Sequence, residues 1–322
     1  MPEAHSLSWY DAARTAVVYN PNAGGGFVGR RWTRLEPELR AALGDVRFLA
    51  TAGPGGGEVR AREAVQAGVH TVLSLGGDGT HNEVINGILT TGAAPGSISF
   101  GVLPAGTGGD FRRILSNSGD LMEAARSIPS GQRCPVDAGR IEFGPAGAKQ
   151  VRHFINICSF GVGGLACRMV NESSKFISGR VPFYVGTLRA ILAYRPALVR
   201  LKVDGTDVGT FRVTNIAVAN GRFFGGGMMI APEARLSDGM FDVVVVEDVG
   251  LWDVIRFTST IYRGRHVGLR GIHTFRGSHV EAEALENDAY IDLDGEAPGL
   301  VPIDLKVVPG AVRLIQPRPD VL

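Results

Sequence analysis

Gly76-Gly77-Asp78-Gly79-Thr80 stands between an apolar run, Thr71–Leu75, and a helically spaced set, Val84, Ile85, Ile88 and Leu89. The pentapeptide therefore falls at a helix N-terminus. The first amides of a helix lack acceptors and carry partial positive charge, and glycine removes the side chains that would keep phosphate oxygens at a distance. The chemistry this pattern suits is the holding of a phosphate-like anion. Thr80 and Glu83 also have capping-box spacing, in which Thr80 accepts from the amide of residue 83 and Glu83 reaches back. Neither a Walker A sequence nor a G-x-G-x-x-G fingerprint is present at this loop. Acids in turns form a second set. Asp294-Gly295-Glu296 follows the apolar strand Ala289–Leu293, and a glycine between two acids lets them diverge, although Leu293–Glu296 also suits a plain hairpin turn. Residue type alone leaves open which of Asp78, Asp294 and Glu296 would accept a proton.

The elements that must position these residues follow from the pattern of apolar runs. From Thr15 to about Pro135, short apolar runs alternate with helical stretches, as in a sheet built by crossover units. Thr15–Tyr19 empties into Asn20-Pro-Asn-Ala-Gly-Gly-Gly26, followed by Trp32, Leu35, Leu39 and Leu43 at helical spacing. Val46–Leu49 leads into Thr51–Gly57 and a helix through Val69; Thr71–Leu75 ends at Gly76; Ile98–Leu103 ends in Pro104-Ala-Gly-Thr-Gly-Gly-Asp110. Ligands of open α/β sheets bind beyond the carboxyl ends of the strands, so the four glycine-bearing loops are expected to line one crevice. After Cys134 the texture turns to β-branched segments, Val199–Val203, Thr214–Ala219, Phe241–Val246, His273–Phe275, Ala289–Leu293 and Ile303–Val308. Turns at Asp204-Gly205, Asp238-Gly239 and Asp294-Gly295 separate them, which predicts an antiparallel, two-layered β domain. Helical interruptions are expected near 181–194 and 250–261, a boundary near 130–137, and a return of the last residues, from about 310, to the first domain.

Composition narrows the classes of function. Thirty-three Lys+Arg against thirty-two Asp+Glu leave a formal charge of +1, so no global field gathers nucleic acid or an anionic bilayer. Glycine, 45 of 322 residues, is about twice its usual share of roughly 7%. Cys134, Cys158 and Cys167 offer neither a disulfide framework nor metal-ligand spacing, which suggests a reducing compartment. The first residues lack the basic start and apolar stretch of a signal peptide. The longest charge-free run, Val84–Gly109, carries seven glycines and two prolines, which a membrane-spanning helix would not tolerate together.

Taken in order, Asn20-Pro21 with Ala23-Gly24, Ser74–Gly87, Gly101–Thr107 with Asp110-Phe111, Val136–Gly139, Asn156–Gly161, Asn220-Gly221, Asp238–Asp242 and Leu293–Glu296 resemble the motifs of the diacylglycerol kinase catalytic domain family, which includes bacterial lipid kinases and sphingosine and ceramide kinases. The resemblance covers nearly the whole chain. It implies an α/β nucleotide-binding domain related to that of phosphofructokinase, residues 1–135 with 310–322 returning to it, and a C-terminal antiparallel β-sandwich domain for the lipid substrate, residues 136–309. By motif, ATP-contacting positions become Asn20, Thr51, Gly76, Gly77, Asp78, Gly79, Thr80, His81, Asn82 and Thr107. Thr51 matches by position rather than by sequence, and Gly109 stands where the family often has Asn. The resemblance also implies magnesium, held by Asp238 with the main-chain oxygens of Arg235 and Met240. A carboxylate with carbonyls and waters suits such a hard cation. It gives the proton-accepting role to Glu296, with Asp294 and Asp78 as rivals; Asp110 and Asp242 are further candidate carboxylates for magnesium.

The implied activity is an ATP- and magnesium-dependent lipid kinase transferring the γ-phosphate to a lipid hydroxyl, with diacylglycerol to phosphatidic acid favoured. The competing readings are an NAD kinase-like enzyme acting on a soluble nucleotide and a nucleotide-binding regulatory protein without catalysis. Two basic and aromatic segments are candidates for peripheral contact with a membrane: Lys175–Tyr184 with Leu188–Arg195, and Trp252–Arg270. They suit helices packed on a β domain equally. No nucleic-acid module is recognisable. The expected location is the cytoplasm with transient contact at the membrane surface; a homodimer stays open. Acceptor identity depends on pocket shape rather than on any motif.

Overall fold

The computed structural model describes residues 9–105, 109–110, 113, 119–145, 147–173, 189–190, 192–248 and 260–316. The chain divides into two units, one of Met1–Gly106, Leu115–Pro135 and Val312–Val321, the other of Thr107–Ile114 and Val136–Ala311 with Leu322.

In the first unit the elements are β1 (Thr15–Tyr19), α1 (Ala23–Arg30), α2 (Trp32–Leu43), β2 (Arg47–Ala50), α3 (Gly56–Gln66), β3 (Thr71–Gly76), α4 (Asp78–Leu89), β4 (Ser99–Pro104) and α5 (Leu121–Ser127). The strands are parallel in the order β2-β1-β3-β4. Every residue of β3 is buried, as a central strand covered on both faces must be. Leu35, Leu39 and Leu43, predicted from their spacing, are the buried stripe of α2. They join Val17, Leu73, Leu75 and Leu103 and the α5 residues Ala124 and Ala125 in the unit's core. Trp32 stacks on Tyr19 with ring centroids 3.7 Å apart. On α3 and α4, Gly87 lies so close to the Glu58 carbonyl that a Cβ there would collide with it.

The second unit contains β5 (Gln132–Phe143), whose first residues still belong to the first, β6 (Gln150–Phe154), β7 (Ile157–Gly161), α6 (Val162–Ser173), β8 (Ala197–Val203), β9 (Thr206–Ala219), the short ribbon β10 (Phe223–Phe224) and β11 (Met228–Met229), β12 (Phe241–Glu247), β13 (Ile272–Gly277), β14 (His279–Glu286), β15 (Ile291–Leu293) and β16 (Ile303–Gln316). Strands β13-β12-β9-β8-β14-β16 run antiparallel to their neighbours, while β7 pairs β9 and β15, and β5 pairs β16 and β6. Ile141, Phe143, Phe154, Phe160, Val199, Leu201, Val218, Phe241, Val243 and Leu305 fill the core between them. The last residues of β16 lie parallel to β4, Leu314 beside Phe100. The helical interruptions expected near 181–194 and 250–261 fall mostly outside the described residues. Among the described residues no helix is long and apolar enough to cross a membrane.

Asp137 holds the second unit's backbone at two distant places. It is 3% exposed, and its carboxylate accepts the amides of Gly239 at 2.7 Å and Gly310 at 2.8 Å. Gly310, at φ 55°, sits where β16 leaves regular extended geometry. Asp137→Ala leaves two part-buried amides without their acceptor and is expected to destabilise the unit by about 1–3 kcal/mol, read as a lowered urea midpoint.

Candidate functional site

Two sets of candidate residues exist, one in each unit. The first lies at the carboxyl edge of the parallel sheet. After β1 the chain moves to β2 on one side, and it returns to β3 on the other, so β1 and β3 flank the topological switch point, where open α/β sheets bind ligands. Asn20 ends β1 and Gly76 ends β3. The Asn20 amide donates to Leu75 O at 3.0 Å, and its Nδ2 donates to Thr80 Oγ1 at 3.3 Å. Ala105 N donates to Gly76 O at 2.8 Å. Gly24, Gly25 and Gly26 are all left-handed, and a Cβ on Gly24 would stand 2.9 Å from Ala105 O. Thr51 is joined to the same edge by its amide on Tyr19 O at 2.9 Å. Loops after all four strands are thus stitched into one rim.

Helix α4 starts at Asp78 with Gly77 as its N-cap, extended at φ −105° and ψ −174°, a residue with no side chain of its own to cap the first amides. The first intrahelical bond runs from His81 N to Gly77 O, so the amides of Gly79 and Thr80 precede the ladder. Gly76 has no alternative residue, because a Cβ there would meet Thr80 Cβ and Oγ1 at 2.5 Å. The capping box expected of Thr80 and Glu83 is corrected here. Thr80 lies inside the first turn rather than at the cap, and Glu83 reaches another helix, accepting from Gly55 N at 2.7 Å and Gly57 N at 2.8 Å. Its carboxylate caps α3, where the helix dipole favours an anion.

His81 and Asn82 are 5% and 6% exposed, and their side chains belong to the interior. His81 Nδ1 is 2.8 Å from Ser74 Oγ, and Asn82 accepts from Asn86 Nδ2. Burial pushes the His81 imidazole down to about 4, against which Asp78 acts in the raising direction; the ring is neutral near pH 7. Thr107 lies outside the described residues. Gly109 is left-handed at φ 76°, a conformation that among other residues Asn tolerates best, which accounts for Gly where the family often has Asn. Asp110 accepts from Gly226 N at 2.8 Å and pairs with Arg113 at 2.7 Å.

The second set centres on β15. Leu293 and Glu296 exchange backbone bonds of 2.8 and 3.0 Å around Asp294 (φ 50°) and Gly295 (φ 93°), a tight turn with two left-handed centres. The acids diverge within it. Asp294 turns back on its own unit and accepts from the amides of Ile155 (3.1 Å), Asn156 (3.3 Å) and Ile157 (2.8 Å), whereas Glu296 is exposed. Asp292, which sequence reasoning missed, accepts from Gly295 N at 2.9 Å. Burial pushes its carboxyl up to about 7, with Asp294 and Glu296 adding like charge against the Gly295 amide and Ser159 hydroxyl. The acid–apolar–acid–glycine–acid alternation of residues 292–296 was the available signal. Cys167 Sγ, from α6, donates to Gly295 O at 2.7 Å. Gly164 admits that helix, since a Cβ would overlap Tyr290 O.

Arg235, Asp238 and Met240 lie on one exposed turn, which Asp137 grips through Gly239 N. Asp238 accepts from Met240 N at 3.1 Å and pairs closely with Arg276. Asp242 Oδ2 is buried without a hydrogen-bond partner, 3.8 Å from Arg276 Nε. Burial raises the Asp242 carboxyl above its ordinary value, with Arg276 opposing and Asp238 and Glu233 adding to the rise. Two carboxylates, one with an unsatisfied oxygen, are oxygen donors of the kind a hard divalent cation takes.

Comparison with known proteins bears on both sets. Residues 14–141 match the model described as the diacylglycerol kinase catalytic domain, and residues 156–316 match the YegS C-terminal NAD kinase beta sandwich-like domain. The chain belongs to the diacylglycerol kinase catalytic domain family. It is 30% identical over 256 residues to the diacylglycerol kinase of Mycobacterium tuberculosis strain H37Rv, covering 79% of each chain. It is 26% identical over 307 residues to that of Bacillus subtilis strain 168, covering 95% of this chain and 97% of the relative. Among solved structures, a diacylglycerol kinase from Bacillus anthracis strain Sterne superposes with a TM-score of 0.69 at 22% identity, covering 96% and 98% of the two chains. A yeast NADH kinase complexed with NADH superposes at 0.53 with 10% identity, covering 97% and 86%. These likenesses agree in fold: an N-terminal α/β kinase domain and a C-terminal β-sandwich-like domain. Family membership makes this chain a kinase-type phosphotransferase with ATP as its phosphate donor.

His81 supplies a pH test of the loop. The neutral, buried ring contributes stability above pH 6.5, and the contribution is lost as pH falls toward 4, because the unfolded chain binds the proton first. The loss is on the order of 3 kcal/mol. His81→Asn is expected to flatten the urea-midpoint profile across that window.

Proposed function

We propose that this chain is an ATP- and magnesium-dependent lipid kinase that phosphorylates a primary hydroxyl of a membrane lipid, with diacylglycerol to phosphatidic acid as the favoured reaction. The observation that carries the reading is the glycine-lined start of α4, with a glycine N-cap, at the switch point, in a chain whose relatives over most of its length are named diacylglycerol kinases. The amides of Gly79 and Thr80 suit phosphate oxygens, and Gly76 and Gly77 let the nucleotide approach the backbone. Asn20 and Thr80 offer polar atoms at the same rim, with Thr51, Asp78 and Thr107 as the remaining nucleotide positions.

Phosphoryl transfer depends on position and on neutralised charge. Asp238, with the carbonyls of Arg235 and Met240, would hold magnesium, which when bound offsets negative charge on acids and phosphates. Glu296 is the proposed proton acceptor. Asp294 is committed to three backbone amides, while the Glu296 carboxylate is exposed beside the turn that Asp292 and Cys167 fix. The lipid oxygen attacks the γ-phosphorus, the bond to the β–γ bridging oxygen breaks, ADP departs, and the hydroxyl proton passes to Glu296. Glu296→Gln is expected to lower kcat by about 10²–10⁴-fold while the ATP dissociation constant stays within twofold of wild type; near-normal turnover removes Glu296 from the step.

The acceptor is tested by transfer of labelled γ-phosphate into diacylglycerol, monoacylglycerol, phosphatidylglycerol, sphingosine and ceramide in mixed micelles, with NAD as the soluble competitor. Label in diacylglycerol supports the proposal, and label in NAD alone overturns it in favour of the NAD kinase-like reading. Transient contact with an anionic bilayer is proposed for residues 262–270, where Tyr262, Val267 and Leu269 are exposed at 48, 45 and 39% among exposed Arg263, Arg265 and Arg270. Buried His266 anchors the loop on Ile230 O at 2.9 Å. Of the other candidates for this contact, Leu192 is exposed at 75% and Tyr194 donates its hydroxyl to Val213 O at 3.1 Å, while Lys175–Tyr184, Leu188, Ile191 and 252–259 lie outside the described residues. Reversing Arg263 and Arg265 to Glu is expected to weaken binding to phosphatidylserine vesicles by about tenfold or more.

A further inference from the structure

Strands β14 and β16 lie antiparallel with His279 opposite Lys306 and Glu281 opposite Asp304. Opposed residues project from the same face of such a ladder, and residues two apart on one strand share that face. His279 Nε2 stands 3.0 Å from Asp304 Oδ1, and Lys306 Nζ stands 3.6 Å from the same oxygen. A ring nitrogen of His279 and one carboxylate oxygen each of Glu281 and Asp304 lie within 4.8 Å of one another. Ligand atoms on one zinc-sized ion stand about 3–4 Å apart, so small side-chain movements would bring all three onto a common centre. An ion pair between His279 and Asp304 explains those two residues and leaves Glu281 without a role. Among the described residues the Glu281 carboxylate has no hydrogen bond or ion pair. Its cross-strand neighbour on β8 is Lys202, which lies beyond ion-pair distance.

We propose that His279, Glu281 and Asp304 form a binding site for a borderline divalent transition metal of the zinc class, tying β14 to β16. The donor set decides the class. Imidazole nitrogen suits zinc, copper, nickel and iron, whereas magnesium and calcium take oxygen ligands almost exclusively. Glu281 and Asp304 also line a recess of about 320 Å³ with Glu142, Lys149 and Lys202, which leaves room for the waters that complete a three-ligand centre. Lys306 competes with the metal for Asp304. None of the three ligands belongs to the phosphate-handling sets.

The test uses the full chain, stripped with chelator and titrated calorimetrically with zinc alone and with magnesium alone. Wild type is compared with His279→Ala, Glu281→Gln, Asp304→Asn and Lys306→Met. The expected result is a zinc site that magnesium does not fill, weakened at least about tenfold in each ligand variant and tightened in Lys306→Met. With copper(II) as probe, paramagnetic resonance should show nitrogen coupling that disappears in His279→Ala. Zinc affinity unchanged in His279→Ala or in Glu281→Gln, with the variant's circular dichroism matching wild type, overturns the proposal. Glu281→Gln is close to isosteric at a half-buried position, so it keeps the test decisive should His279→Ala fail to fold.

Discussion

Gly76 cannot carry a side chain, and the first unit's site depends on that restriction. Thr80 occupies the place where a Cβ would go, so the backbone at the end of β3 is pressed directly against the opening turn of α4. Asn20 bonds Thr80 from the β1 side, and Ala105 bonds Gly76 from the β4 side. The result is a backbone surface whose position is set by hydrogen bonds and whose approach is not screened by side chains. Two helices begin along this edge, each from a glycine N-cap. Glu83 caps α3 with both carboxylate oxygens. At α4 the glycines before the first turn keep the backbone amides approachable by an outside anion.

The second unit solves a related problem with carboxylates. Three acids occupy alternate positions from 292 to 296, and like charges at that density would repel if they shared one environment. The turn separates them. Asp294 is held by three amides, Asp292 is half-buried with a raised affinity for its proton, and Glu296 remains exposed. Gly295 holds the arrangement through both of its backbone polar groups, its amide on Asp292 and its carbonyl on Cys167. A glycine between two acids therefore has a conformational reason as well as a chemical one, since its φ of 93° is open to few other residues. Asp137 has the corresponding task at the Asp238 turn, where it fixes Gly239 between the buried Leu236 and Phe241.

Much of the architecture was legible in local pattern. The four parallel strands, the stripe Leu35, Leu39 and Leu43, and the turns at Asp204, Asp238 and Asp294 follow from apolar period and turn chemistry. Strand β14 was not legible, because His279-Val-Glu-Ala-Glu-Ala-Leu-Glu286 alternates charge with alanine rather than with β-branched residues, and only Val280 and Ala282 mark its buried side. Glu83 was misplaced for a different reason. Its spacing from Thr80 satisfies a local capping rule, and nothing nearby in the chain reports that Gly55 and Gly57 will lie closer than the start of its own helix. His81 sits within a ligand-binding motif, and that its ring turns inward to Ser74 depends on how α4 lies against β3.

By itself, the sequence determined the kinds of backbone this protein possesses: which segments extend, which coil, and where glycine makes the chain approachable, because these follow from side-chain volume and from the limits on φ and ψ at each residue. Only the tertiary structure decided the partner of each polar group. A carboxylate can reach any amide brought within about 3 Å, and which amide that is depends on packing between elements that lie dozens or hundreds of residues apart, as Asp294 does from Ile157 and Asp137 from Gly310.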